Sequence, residues 1–284
     1  MKTKGDFLLG IDLEDVRDLA LNGGLMQERV PLMTRRLLAL LRRSPGKVTF
    51  FATGQLAERY GDVIREIQED GHEIACHTFW HKPLCNYTPV EFEDDLKRNL
   101  DALLSCGVRS VRGFRAPILS MTPQTTWAYP ILSRNGITYS SSVLPGANPL
   151  YGWANFGGDA KVVGGLLEIP VSVGRLFGTR LPFASGVYFR ALPFILIKRQ
   201  FRRFIAQGRP VVAYLHLLDF DPDQERFALP FAPRNPFYNF LMFYNRAGGM
   251  RRIGSLLAME GLLLSTYGEF HMRQLAVDHG TTTA

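Results

Sequence analysis

Two histidines lie four residues apart, His77 and His81, in "ACHTFWHKPL" (75–84), directly after an apolar run typical of a β-strand. Neutral imidazoles bind Zn²⁺ and similar divalent ions, and a carboxylate often completes the ligand set. Taken alone, a pair at this spacing is more often explained by packing or by a surface position. The pair therefore indicates a metal site only if an acidic ligand and other reactive groups lie beside it.

Polar side chains also follow three other predicted strands. The first strand ends in "IDLED", with Asp12, Glu14 and Asp15; the fourth ends in "FRAP", with Arg115; the last clear strand ends in "YLH", with His216. Each has a structural alternative: a helix cap for the acidic residues, an ion pair for Arg115, a core position for His216. In a parallel barrel, however, the carboxyl ends of the strands meet on the face that carries active sites. Four such strand ends together favour one functional site.

Strand-like and helical patterns alternate along the chain, which predicts a parallel sheet with helical crossovers. Strands are predicted over 7–12, 47–54, 72–78, 111–117, 137–143, 165–173 and 209–217, and helices over 31–43, 55–71, 88–107, 122–136 and 192–208. Thr88, Pro89 and Glu91 form a capping-box pattern, and Gly107 should end that helix. About seven units without a Gly-rich dinucleotide loop favour an α/β barrel in a single domain. The Gly/Asn-rich stretch 144–165 predicts an active-site loop.

Composition excludes several classes of protein. With 284 residues, 46% hydrophobic and 21% charged, the chain is long and apolar enough for a folded core and is not disordered. No apolar run approaches the roughly 20 residues of a membrane span. The first residues turn acidic after four apolar positions, which argues against a secretory signal. Three cysteines are too few for a disulfide framework and predict reduced thiols in a cytoplasmic protein.

The net charge of +7 is concentrated in the second half of the chain. Residues 1–150 contain 18 Lys/Arg and 17 Asp/Glu, whereas residues 151–284 contain 15 and 9. Such an excess suits an anionic partner, either an acidic membrane surface or an anionic glycan, and we expect no nucleic-acid partner because no motif for one is present. The basic stretch 198–203 (Lys198, Arg199, Arg202, Arg203) is the candidate contact, and a solvated outer helix face is its structural alternative.

The ordered motifs resemble those of polysaccharide deacetylases of carbohydrate esterase family 4. An acidic motif after the first strand is followed by "VTFFATG" (48–54), "HTFWH" (77–81), "RAP" (115–117) and "LH" (215–216). The resemblance covers about residues 6–220, and about 221–284 would form a C-terminal helical extension. It implies a distorted (β/α)7-type barrel that binds a divalent metal ion, for which we expect Zn²⁺.

The acidic motif admits two alignments to the family. In the first, Asp12 is the general base and Glu14 joins His77 and His81 as a metal ligand; in the second, Glu14 is the base and Asp15 the ligand. We favour the first, because residues two apart on an extended strand share a face. Asp15 remains the competing ligand.

The resemblance further implies that Arg115 pairs with the base and that His216 is the acid that protonates the departing amine. The chain departs from the family where an aspartate usually tunes this histidine, since Ser140 stands there; Asp219 or Asp221 could substitute. We expect a cytoplasmic enzyme, peripheral to the inner membrane, that deacetylates an N-acetylated sugar or glycan in surface-polysaccharide or lipopolysaccharide biosynthesis. A nucleotide- or lipid-linked substrate would suit it. The alternatives are a hydrolase of a non-sugar amide or cyclic imide, and a catalytically silent glycan-binding member.

Overall fold

Strand β1 (Gly5–Leu13) forms the centre of the sheet in this computed structural model, which describes residues 4–146, 151–228 and 236–281. Its sequence, "GDFLLGIDL", is almost continuously apolar and is buried along nearly its whole length, as expected for a strand covered on both faces. β1 pairs in parallel with β10 (Val211–His216) on one edge and with β2 (Thr49–Ala52) on the other.

Eight further strands are present among the described residues. They are β3 (Glu73–Cys76), β4 (Gly113–Phe114), β5 (Tyr139–Ser140), β6 (Lys161–Val163), β7 (Leu166–Glu168), β8 (Gly174–Leu176), β9 (Thr179–Leu181) and β11 (Leu262–Ser265). The order in the sheet is β10-β1-β2-β3-β4-β5-β7-β6, parallel throughout except for β6. β11 pairs with β1 outside this order, and β8 and β9 form a separate antiparallel hairpin.

The sheet curls until its two ends meet. Beyond β7, the backbone N–H of Ser172 donates to the carbonyl of Val212 on β10 (3.0 Å), and Val212 donates in return to the Ser172 hydroxyl (2.8 Å). Seven parallel strands therefore form a ring that is closed by these two hydrogen bonds rather than by a regular ladder. The predicted distorted (β/α)7-type barrel is confirmed.

Helices cover the outside of the ring. They are α1 (Val16–Leu19), α2 (Val30–Leu41), α3 (Gly54–Arg59), α4 (Gly61–Glu69), α5 (Pro89–Ser105), α6 (Ala128–Arg134), α7 (Gly186–Ala191), α8 (Phe194–Ala206), α9 (Pro236–Phe243), α10 (Gly249–Leu257) and α11 (Tyr267–Thr281). The capping box at Thr88 and Glu91 is present as predicted, and Gly107 follows α5 at φ +87°. The helix predicted over 55–71 is instead two, because Tyr60 leaves the helical conformation (φ −130°). No helix among the described residues is long and apolar enough to cross a membrane.

The alternation of side chains along β1 determines what reaches the interior of the barrel. Phe7, Leu9 and Ile11 pack outward among the helices, whereas Leu8 belongs to the inner cluster. Since side chains alternate along a strand, Gly10 and Asp12 share the inner face with Leu8. β1 thus delivers a carboxylate to the mouth of the barrel.

The C-terminal segment is more than the expected helical extension. β11 pairs in parallel with Gly5–Leu8 of β1, on the edge that also carries β2. That stretch is available because β2 pairs only with Gly10–Leu13. The predicted active-site loop 144–165 lies partly outside the described residues, at 147–150, and its end forms β6.

Candidate active site

Three side chains meet at the mouth of the barrel in the manner of a metal site. Glu14, His77 and His81 are buried, and one ligand atom from each lies within 4.8 Å of the other two. Nε2 of His81 is 2.6 Å from Oε2 of Glu14, and Nε2 of His77 is 3.8 Å from it. Despite these short distances, neither Glu14 Oε2 nor His77 Nε2 makes a hydrogen bond of acceptable geometry within the described residues. Two imidazoles and a carboxylate that converge in this way, two of them with unpaired buried atoms, fit a divalent cation.

The orientation of His77 supports the same interpretation. Its Nδ1 lies 2.8 Å from the carbonyl oxygen of Arg115, which can only accept, so Nδ1 carries the proton. In the neutral form of the ring, Nε2 is then the nitrogen with the free lone pair, and it faces Glu14. A histidine that binds a metal is usually fixed in this way by a hydrogen bond from its other nitrogen.

The loop that carries His81 is held by helix α5. Thr78 and His81 adopt left-handed backbone conformations (φ 61° and 53°), which cost energy for residues other than glycine. The buried carboxylate of Asp95 accepts from two backbone N–H groups of the loop (2.7 and 3.2 Å), and Asn99, one turn later, donates to the Thr78 carbonyl (2.6 Å). These two side chains offset the strain and fix the position of the imidazoles.

Asp12 lies beside the three candidate ligands and is paired with Arg115. Arg115 Nη1 donates to Asp12 Oδ1 (2.6 Å), while Asp12 Oδ2 lies 3.1 Å from His77 Nε2. Burial of Asp12 opposes its ionisation, but the charge of Arg115, the largest of the opposing effects, helps to hold the pKa of this carboxyl well below its usual range. Asp12 is therefore a carboxylate at neutral pH.

Arg115 is fully buried and its charge is well compensated. Besides Asp12, it donates to the Ser141 carbonyl (3.0 Å) and the Tyr267 hydroxyl (2.8 Å), and its guanidinium lies 3.9 Å from the ring centre of Phe51. The absence of a side chain at Gly10 makes this possible, because a Cβ there would lie 2.6 Å from both terminal nitrogens of the guanidinium.

His216 reaches the same group from β10. Its Nδ1 lies 3.1 Å from Asp219 Oδ2, which also accepts from the His216 backbone N–H (2.9 Å), and its Nε2 lies 3.7 Å from Glu14 Oε1 and 3.0 Å from the Tyr214 hydroxyl. Burial lowers the pKa of His216, but Glu14 and Asp219 outweigh it and raise the pKa to about 9. With its side chain 16% exposed, the imidazole is accessible at the barrel mouth.

Asp219 is itself anchored by a buried arginine. Arg190 Nε donates to Asp219 Oδ1 (2.7 Å), and both side chains are almost completely buried. Burial raises the pKa of Asp219, but Arg190 and His216 more than compensate, and the net pKa is lowered. The other candidate, Asp221, pairs with Arg29 instead (2.6 Å) and makes no hydrogen bond to His216 among the described residues.

Two predicted positions lie apart from this group. The competing ligand Asp15 caps α1, where it accepts from the Arg17 backbone N–H (2.9 Å) and pairs with Arg17 and Arg59 (2.8 and 3.1 Å). It does not join Glu14 because adjacent residues of an extended chain point to opposite sides. Ser140 is buried, and its hydroxyl lies 2.8 Å from that of Ser142. The nearby buried carboxylate is that of Glu168, the partner of Ser140 on β7, which accepts from the Ser142 backbone N–H (2.7 Å).

Sequence reasoning missed several residues that support the site. Asp95 and Asn99 could have been noticed, because they interrupt the apolar stripe of α5 that contains Phe92 and Leu96. No comparable interruption of an apolar pattern marks Arg190 or Tyr267 in the sequence.

Comparisons with known proteins find similarity to deacetylases. Residues 25–139 match the family "Polysaccharide deacetylase", and residues 141–260 match a domain of unknown function (DUF3473). A chitooligosaccharide deacetylase from Azorhizobium caulinodans is 36% identical over 88 residues, which cover 31% of this chain and 42% of that protein. The chain spans about two fifths of the length of the curated relatives that it matches first.

Solved structures share the fold along nearly the whole chain. A Mycobacterium smegmatis protein assigned as a polysaccharide deacetylase superposes with a TM-score of 0.63 at 21% identity, covering 98% of this chain and 92% of that one. A family 4 carbohydrate esterase from Streptomyces lividans, in complex with acetate, gives a TM-score of 0.51 at 16% identity, covering 92% and 91%. The chain therefore contains a polysaccharide deacetylase domain over residues 25–139, which include both histidines and the arginine, followed by the DUF3473 match over residues 141–260.

Proposed function

We propose that this protein is a metal-dependent N-deacetylase that removes the acetyl group from an N-acetylated sugar. The observation that carries the proposal is the meeting of a Glu14–His77–His81 group with two different proton-transfer groups at one barrel mouth. Asp12 lies 3.1 Å from His77 on one side, and His216 lies 3.7 Å from Glu14 on the other. Amide hydrolysis needs such a base and such an acid.

Glu14, His77 and His81 would hold the divalent ion, for which we expect Zn²⁺. When bound, such an ion supplies Lewis-acid polarisation of the acetamide carbonyl and acidifies water. Binding of an ion is favoured because Glu14 Oε2 and His77 Nε2 are buried and otherwise remain unpaired within the described residues.

The residues of the chain supply the proton transfers. Asp12 Oδ2 accepts a proton from the attacking water, and Arg115 keeps Asp12 ionised and oriented for this step. Water oxygen bonds to the carbonyl carbon, and the carbon–nitrogen bond breaks. An amine anion is too basic to leave, so protonated His216 gives the nitrogen its proton, and acetate and a free amino sugar are released.

The test is acetate release from N-acetylated chitooligosaccharides by the purified protein. We expect activity that disappears when a chelator removes the metal and returns with added Zn²⁺. Full activity in protein whose metal content is zero by mass spectrometry would contradict the metal-dependent mechanism. Ring-opening of cyclic imides, measured in parallel, distinguishes the alternative of a non-sugar amide hydrolase.

The cellular role is a separate proposal. We infer that the substrate is an anionic or lipid-linked glycan of surface-polysaccharide or lipopolysaccharide biosynthesis, handled in the cytoplasm at the inner membrane. The excess of 15 Lys/Arg over 9 Asp/Glu in residues 151–284 supports an anionic partner. Fractionation of cells into cytosol, inner membrane and periplasm tests the location; recovery in the periplasm would contradict it.

A further inference from the structure

A basic cleft lies between the β8–β9 hairpin and helix α8, away from the candidate active site. It has a volume of about 400 Å³, within the range of small-molecule pockets. Its polar lining consists of arginines and glutamines: Arg175, Arg180, Arg203, Arg209, Gln200 and Gln207. Among the described residues, no carboxylate lines the cleft, and none of the site residues Glu14, His77, His81 and His216 lines it either.

Three of the four guanidinium groups have no anionic partner among the described residues. Arg209 is paired with Asp159 (2.9 Å), and Arg180 donates to the carbonyl of Pro145 (3.1 Å), whereas Arg175 and Arg203 form no ion pair in that part of the chain. A planar guanidinium donates two parallel hydrogen bonds to phosphate, which makes arginine clusters suited to phosphate groups. The charge of the cleft therefore selects an anion.

Gln200 indicates that the ligand of the cleft carries a hydrogen-bond donor in addition to its negative charge. Its side chain is 95% buried, and its Nε2 donates to the carbonyl of Arg175 (3.1 Å). Because a carbonyl can only accept, this bond identifies Nε2 as the amide end that faces Arg175. The other end, Oε1, is a buried acceptor without a hydrogen-bond partner in the described residues. An unpaired buried acceptor is costly. This oxygen has almost no exposed surface, so the amide would have to turn toward the cleft for a ligand hydroxyl to reach it and satisfy it.

We propose that this cleft is a second binding site, which takes a phosphate ester carried on a hydroxylated sugar. The arginines bind the phosphate and Gln200 accepts from a sugar hydroxyl. The phosphate could belong to a soluble sugar phosphate or to the headgroup of a sugar-bearing lipid, since both present the same chemistry. The proposal does not depend on the deacetylase reaction. Of the predicted basic stretch 198–203, only Arg203 lines the cleft as a cation; Lys198, Arg199 and Arg202 do not.

Calorimetric titration with glucose 1-phosphate tests the site without involving the metal centre, because this ligand has no acetamido group. We expect one binding event per chain. Arg175→Gln with Arg203→Gln should weaken it about tenfold or more, the equivalent of losing one charge-assisted hydrogen bond. The matched control is Arg199→Gln with Arg202→Gln, which removes the same charge from exposed positions of α8 outside the cleft. No binding, or equal losses in both double variants, would overturn the proposal.

Two further ligands test the sugar and the source of the phosphate. Methyl phosphate should bind several-fold more weakly than glucose 1-phosphate; equal affinity would reduce the site to a plain anion site and refute the role of Gln200. Vesicles containing phosphatidylinositol are the lipid probe. Vesicle binding that glucose 1-phosphate displaces and the cleft variant loses assigns the phosphate to a lipid, and no vesicle binding assigns it to a soluble ligand. If vesicle binding falls equally in the control variant, the vesicles bind a general basic surface of the protein and not the cleft.

Discussion

Replacing Asp219 by asparagine should lower the pH at which the enzyme loses activity. Asp219 and Glu14 raise the pKa of His216 from its ordinary 6.5 to about 9 against the opposing effect of burial. That difference corresponds to about 3 kcal/mol in favour of the imidazolium. If Asp219 contributes about half, its loss lowers the pKa of His216 by about one unit.

The direction of the effect follows from the proposed role of His216 as an acid. A general acid must be protonated, so activity falls as the pH rises through its pKa. In Asp219→Asn this alkaline limb of kcat/KM should move to lower pH by about one unit. The side-chain oxygen of the asparagine would face Arg190, because Arg190 is a hydrogen-bond donor and an amide N–H₂ group in that place would be a second donor. The N–H₂ group of the asparagine then faces the N–H of His216, and two donors cannot form a hydrogen bond. We therefore expect the imidazole to lose its orientation and the rate to fall by about a further tenfold.

The matched control is Asp221→Asn, which removes the same charge two residues further on. Asp221 pairs with Arg29 rather than His216, so its pH profile should remain that of the wild type. Thermal unfolding shows whether each variant is folded, because Asp219→Asn also weakens the buried pair with Arg190. An unmoved alkaline limb in folded Asp219→Asn, or an equal shift in Asp221→Asn, would refute the reasoning.

Three further predictions concern the rest of the site. His77→Ala or His81→Ala should lose stoichiometric metal, measured by mass spectrometry, because two remaining ligands compete poorly with water; full occupancy in both variants contradicts the ligand assignment. Asp12→Asn should keep its metal but lose on the order of 10²–10⁴-fold in kcat, as expected for a general base, whereas loss of the metal would make Asp12 a ligand. Asp95→Ala should weaken metal affinity about 10–100-fold by releasing the loop that carries His81, with exposed Asp94→Ala as its control; equal affinities in the two variants would exclude this supporting role.

The positions of the central site residues could be predicted because they depend on local rules. An apolar strand with alternating side chains fixes that Asp12 shares a face with Gly10, and the barrel brings strand ends together. The preference for Glu14 over Asp15 followed from the same alternation, and it agrees with where the structure places the two carboxylates. Their chemical roles remain predictions that the variants above test.

The residues around His216 could not be chosen from the sequence, because the choice depends on a turn. The sequence offers Asp219 and Asp221 equally as the carboxylate that orients His216. In the structure, the short 3₁₀ turn Leu217–Phe220 places Asp219 against His216. Arg190, 29 residues earlier in the chain, gave no pattern by which the pairing could be recognised. A carboxylate now lies beside His216 although Ser140 occupies the usual position, which removes the main reason for expecting a catalytically silent protein.

The pairing of β11 with β1 has a consequence for how the protein is made. Arg115 is synthesised 152 residues before Tyr267, whose hydroxyl accepts one of its hydrogen bonds. At about 5–20 residues per second, that interval lasts roughly 8–30 s on the ribosome. Until β11 emerges, the first half of one edge of β1 has no partner strand, and unpaired strand edges promote aggregation. The nascent chain therefore cannot complete its barrel as it emerges, and its yield in cells should depend on chaperones that cover this edge during synthesis.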